Sequence, residues 1–169
     1  MSAAQIRRDL AYFGDFGKQG KGYAVEFLLD QIKSILQLQQ VWDIALVGVG
    51  DLGRALLRYD DFRRNGFRIA ALFDHSPRKH GQHRGDLTIQ GMEALPTVLP
   101  AAGIRIALIA VPADAAQAVA DALVAAGVQA ILNYAPTVVK VPRHVRIRNI
   151  DPVVALQSMT FYLPLPDEA

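Results

Sequence analysis

The sequence predicts an α/β fold, a parallel sheet with helices on both faces, and three observations predict it. Apolar runs without polar alternation recur at 43–48 (DIALVG), 67–73 (FRIAALF), 104–110 (IRIALIA) and 128–132 (VQAIL). Helix-periodic segments near 52–60 and 113–126, with a shorter piece near 91–95, fall between them. A glycine-rich turn follows the first run. Strands that are apolar on both sides need cover on both faces, and alternating helices supply it. Half of the 169 residues are hydrophobic, 51%, so a core of this kind can be filled and global disorder is excluded.

Each element has its own signal. Ser2 and Gln5 fit a capping box, and behind them Ile6, Leu10 and Phe13 make an apolar stripe on one helix face. Gln5, Arg8 and Tyr12 fall on another face. Gly14 stops this helix, and Gly17, Gly20 and Gly22 keep the following stretch non-helical. A second helix is expected over 24–37, with Val25, Leu28, Leu29, Ile32 and Ile35 as its buried stripe. From 41 the strand–helix alternation begins. A further short strand at 145–149 and a helix at 152–161 are expected before the PLPDEA tail, which should fray.

Composition removes several function classes. The chain has no cysteine, so disulfides, thiolate nucleophiles and zinc–sulfur sites are excluded together. No apolar run reaches the roughly 18 residues of a membrane span, and no signal-peptide pattern opens the chain, so a cytoplasmic protein is expected. The net charge of +2 is small but concentrated: residues 1–22 hold Arg7, Arg8, Lys18 and Lys21 against Asp9 and Asp15, and the remainder is balanced. Such a segment is a weak footprint for a polyanion.

The stretch ALVGVGDLGRAL places Gly48, Gly50 and Gly53 as G-x-G-x-x-G between a buried strand and a helix. The first glycine permits a tight turn, the second close approach of a pyrophosphate, the third close helix–strand packing. Gly48, Val49, Gly50, Asp51, Leu52 and Gly53 are therefore candidate cofactor-binding residues of a Rossmann-like domain. Asp74 ends the second strand 21 residues after Gly53, where a carboxylate can accept from both ribose hydroxyls and repel a 2′-phosphate. NAD(H) is favoured over NADP(H), with Arg78 close by. Val111 and Pro112 follow the run at 104–110, at the strand ends where ligands bind; a plain strand-to-helix turn with Pro112 at the first helical position reads equally well. Asn133 puts an amide at the same edge, or simply forms a turn.

No catalytic machinery accompanies this site. A dehydrogenase needs a general acid or base at the nicotinamide. Of the four histidines, His75, His80 and His83 lie in DHSPRKHGQHRG on the adenosine side, expected as a solvated basic loop, and the fourth is His144. His80 and His83 have metal-like spacing but no acidic or Cys partner. No second domain that could form a substrate pocket is expected. Sensing is favoured over turnover.

The segments SAAQIRRDLAYFGDFGKQGKGY, VGVGDLGRAL, FDHSPRKHG, VPADAAQAVAD, AGVQAILNYAP and NIDPVVAL, in this order, resemble the Rex family of bacterial redox-sensing transcriptional repressors. The resemblance implies an N-terminal winged-helix DNA-binding domain joined to an NAD(H)-binding Rossmann domain, in a homodimer that exchanges its last helix. It implies that 2–13 is a recognition helix and 14–23 a wing. Gln5, Arg7 and Arg8 would then read the major groove of operator DNA, with Lys18 and Lys21 on phosphate or the minor groove. The domains expected are a winged-helix remnant over 1–23, a linking helix over 24–40, the Rossmann domain over 41–150 and a dimerisation helix and tail over 151–169. The family pattern has about two more helices ahead of this point and a longer last helix, so a partial winged helix is expected here. Two other readings remain beside it: a small NAD-dependent oxidoreductase, and a CoA-binding module.

Overall fold

The computed structural model describes residues 25–35 and 40–163. The expected recognition helix and wing, with Gln5, Arg7, Arg8, Lys18 and Lys21, lie outside the described residues, as does the PLPDEA tail. The chain divides between Val41 and Trp42 into two compact units. The first contains helix α1, Val25–Ile35. Leu29 and Ile35, expected on its buried stripe, are exposed; the side chains of Val25 and Leu28 lie outside the described residues.

The second unit is built on a seven-stranded sheet. Its strands are β1 Trp42–Val47, β2 Phe67–Phe73, β3 His83–Arg84, β4 Leu87–Gln90, β5 Ile106–Ile109, β6 Ala130–Asn133 and β7 Arg146–Asn149, in the order β3-β4-β2-β1-β5-β6-β7. All pairs are parallel except β3 with β4. The helices are α2 Asp51–Leu57, α3 Asp61–Arg64, α4 Leu95–Ala101, α5 Ala113–Ala125 and α6 Pro152–Thr160. The pleat of β1 divides the core between the two faces. Ala45 and Val47 pack with Leu95 and Leu99 of α4 and with Ala116, Val119, Ala120 and Leu123 of α5. Ile44 and Leu46 pack with Leu56 of α2, and Phe62 of α3 joins that side.

Three elements differ from expectation. The segment 95–101 is a full helix although it contains Pro96 and Pro100; Pro96 sits in the first turn, where no donor is missed. The helix expected over 52–60 ends at Leu57, and a separate short helix, α3, follows. The loop DHSPRKHGQHRG is folded: a 3₁₀ turn at Pro77–Lys79 leads into the β3–β4 hairpin. Gly85 opens its two-residue turn at φ +60, the hand that suits strand twist.

The sheet's register sets up the site. Val47 pairs with Phe73 on one side and Ile109 on the other, Ile109 with Asn133, and Asn133 with Asn149. The residues that leave these strands, Gly48, Asp74, Ala110, Tyr134 and Ile150, thus share one carboxyl-terminal edge. The chain leaves β1 toward β2 over one face and enters β5 from the other. The crevice between β1 and β5 is the topological switch point at which α/β sheets bind ligands.

Candidate functional site

The three glycines of the turn have different reasons to be glycine. Gly48 has φ +95, and a Cβ there would lie 2.3 Å from the carbonyl oxygen of Ala110. This is where the loops after β1 and β5 touch. A Cβ on Gly53 would lie 2.0 Å from the Gly48 carbonyl oxygen, so α2 could not sit down on the turn. Both are fixed by the protein's own packing. Gly50 is not. Its φ is −82, open to any residue, and a Cβ there meets nothing within 4 Å. The space in front of Gly50 fits a group that needs close backbone approach, as a pyrophosphate does.

Val49 between them buries its side chain under α2 and turns its N–H inward, donating to Asp74 Oδ2 at 2.8 Å. Asp51 and Leu52 are exposed; the Asp51 carboxylate pairs with Arg54 on the same helix. The edge is tied together by backbone bonds, Gly48 N–H to Phe73 O at 2.8 Å and Ala110 N–H to Val47 O at 2.8 Å.

Asp74 is 2% exposed, and its carboxylate is largely committed. Oδ2 also accepts from Lys79 Nζ at 2.7 Å, and Oδ1 accepts from Ser76 N–H at 2.9 Å. Burial pushes the Asp74 carboxyl up, but the bonds from Lys79, Ser76 and Val49, with the Lys79 charge, outweigh it and hold it below the usual value. Three of about four acceptor positions are filled. Val49, Ser76 and Lys79 thus take up most of the carboxylate's acceptor capacity. Lys79, Ser76 and the Val49 amide escaped notice in the sequence. The only signal was a lysine five residues after the acid, in what read as a solvated loop. His80 also folds back, its Nε2 2.8 Å from the Asp74 carbonyl oxygen.

Asn133 is fully buried and forms a turn. Its Nδ2 donates to Thr137 O at 2.8 Å and Asn149 Oδ1 at 2.9 Å, and its Oδ1 accepts from Ala135 N–H at 3.0 Å. Its amide shapes the loop after β6 through these bonds. Val111 lies beside Gly48, its Cγ1 2.9 Å from where a Gly48 Cβ would stand. Pro112 is the N-cap residue of α5, one position before the first helical one, in extended conformation. The structure thus brings Gly48–Gly53, Asp74, Val111 and Pro112 to one crevice edge, with Asn133 buried at the end of β6 on the same side of the sheet.

The chain matches known proteins along nearly its whole length. A family model described as the CoA binding domain matches residues 39–137. The redox-sensing transcriptional repressor Rex of Chloroflexus aurantiacus is 55% identical over 168 residues, covering 99% of this chain and 79% of its own. The chain belongs to the Rex family. The Rex of Pelotomaculum thermopropionicum is 48% identical over 163 residues, 96% of this chain and 76% of its own. Among solved structures, the Rex-family repressor RSP in complex with beta-NAD+ and operator DNA aligns at TM-score 0.89 and 36% identity, covering 96% of this chain and 75% of its own. RSP in complex with beta-NADH aligns at TM-score 0.80 and 33% identity over the same shares. These Rex relatives are named as transcriptional repressors. Among the described residues no helix is long and apolar enough to cross a membrane.

Proposed function

We propose that this chain is a redox-sensing transcriptional repressor that binds NAD(H) and releases operator DNA when NADH is high relative to NAD. The observation that carries the reading is Gly50, the one glycine of the turn that the protein's own packing does not require. Gly48, Val49, Gly50, Asp51, Leu52 and Gly53 form the cofactor turn, with the backbone at Gly50 toward the pyrophosphate. Asp74 accepts one ribose hydroxyl. Val111 and Pro112 line the crevice, and Asn133 acts by holding the loop beside it. Gln5, Arg7, Arg8, Lys18 and Lys21 contact DNA from a winged-helix segment over 1–23, with 24–40 as a linking helix, 41–150 as the NAD(H)-binding domain and 151–169 in a homodimer interface. Such a protein works in the cytoplasm, where both DNA and the nicotinamide pool are found.

No turnover is assigned to the site, in keeping with relatives named as transcriptional repressors. DNA and NADH are coupled negatively, so each lowers affinity for the other by the same factor. The CoA binding domain match favours a second reading, a CoA-binding module, and one titration series separates them. NADH fluorescence on binding should respond strongly, CoA should not compete, and Gly50→Val should abolish NADH binding while leaving the far-UV spectrum unchanged. Retained NADH binding in that variant would place the cofactor elsewhere.

A further inference from the structure

Resting on the dinucleotide reading above, we propose that Lys79 sets how strongly the site rejects a phosphorylated ribose, by cancelling the charge of Asp74. An acid at the end of the second strand ordinarily excludes a 2′-phosphate through the repulsion of two anions. Here that acid is not an isolated anion. The Asp74 carboxylate is in direct contact with the Lys79 ammonium at 2.7 Å, and the pair is neutral as a unit. Asp74 itself is 2% exposed, whereas the Lys79 side chain is 31% exposed. The member of the pair that solvent or a ligand meets first is the cation. An ammonium has three N–H donors and spends one of them on Asp74. The loop that carries it adds charge of the same sign: Arg78 is exposed beside it, its carbonyl held by the Gln82 amide at 2.8 Å. No second carboxylate stands on the 3₁₀ turn Pro77–Lys79 or the residues flanking it, Ser76 and His80.

The ribose subsite is therefore neutral to positive, and its preference between NADH and NADPH rests on Lys79 as much as on Asp74. Removing the lysine charge leaves a buried carboxylate held only by the neutral Val49 and Ser76 N–H groups, its charge uncancelled. At separations of about 4–6 Å in partly screened surroundings, one such charge shifts the affinity of a dianionic phosphate by about tenfold or more. The uncharged hydroxyl of NADH is affected far less.

The experiment is a pair of fluorescence titrations, NADH and NADPH, at low ionic strength on the full chain and on three variants. Lys79→Met should lower NADPH affinity about tenfold more than NADH affinity. Lys79→Arg should keep the parental ratio, and Asp74→Asn should move the ratio toward NADPH. Equal losses for both nucleotides in Lys79→Met, with the Lys79→Arg ratio also unchanged, would show that Lys79 merely supports the loop and would overturn the proposal. Should Lys79→Met fail to fold, an Asp74→Asn ratio equal to the parent's would overturn it. Failure of the parent to bind either nucleotide would instead sink the dinucleotide reading on which the proposal stands.

Discussion

Asp74 has three donors around a carboxylate that is 2% exposed, and a pH dependence follows from them. Its folded pKa lies below the ordinary value of about 3.9. A depressed carboxyl contributes stability above the unfolded pKa and loses it as pH falls through the folded one. Asp74→Asn should thus cost about 1–3 kcal/mol at pH 7, the usual cost of breaking a buried charged hydrogen bond. The difference from the parent should shrink as pH is lowered below about 4. Urea unfolding of both proteins at pH 7 and at pH 3 checks this, and a gap that stays constant would contradict it. The position of Asp74 was legible in the sequence, because strand length and the glycine turn fix where the second strand ends. Its partners were not. The Val49 amide reaches it across 25 residues, and Lys79 only through a 3₁₀ turn that a basic, proline-containing stretch does not announce. Asn133 was hidden in the same way: its partner Asn149 is sixteen residues on and becomes its neighbour only through the β6–β7 register.

Among elements, the strand–turn–helix unit β1–α2 sets, within six residues, two glycines that packing requires beside one that it does not. Gly53→Ala drives a methyl to 2.0 Å from the Gly48 carbonyl, and overpacking of that kind costs about 1–3 kcal/mol. Gly50→Ala places its methyl in open space and should leave the melting temperature within about a degree or two, a change too small to register as a kilocalorie. Calorimetric scans of the two variants should therefore differ clearly; equal melting temperatures would mean the turn relaxes around Gly53. The four central parallel strands were legible because each is a continuous apolar run. The β3–β4 hairpin was not, since its two short strands carry His83, Arg84 and Thr88 rather than an apolar pattern, and only the Gly85–Asp86 turn hints at it. Helix α4 was concealed by Pro96 and Pro100, whose helix-breaking character depends on position within the helix.

At the scale of the molecule, α6 carries the strongest sign of a missing neighbour. Val153, Val154, Leu156, Met159, Phe161, Tyr162 and Leu163 are each more than half exposed, and contiguous apolar surface of this kind marks an interaction site. In the proposed homodimer a second subunit covers it. Leu156→Asp with Met159→Asp should yield a monomer by analytical ultracentrifugation while the sheet keeps its thermal transition. A variant that stays dimeric would move the interface away from α6. The way α6 is joined to the sheet adds a mechanical consequence. Asn133 bonds Asn149 through its side chain and Ile150 N–H through its carbonyl, 2.8 Å, and the next residue, Asp151, caps α6 with bonds to Val153 and Val154. Hydrogen bonds thus run without a break from the end of β6 to the start of α6. A nine-residue helix is about 13 Å long, so a tilt of about 10° at Asp151 carries its far end by about 2 Å. A shift of the β6 end that reached Asp151 would therefore move the far end of the helix further than its cap.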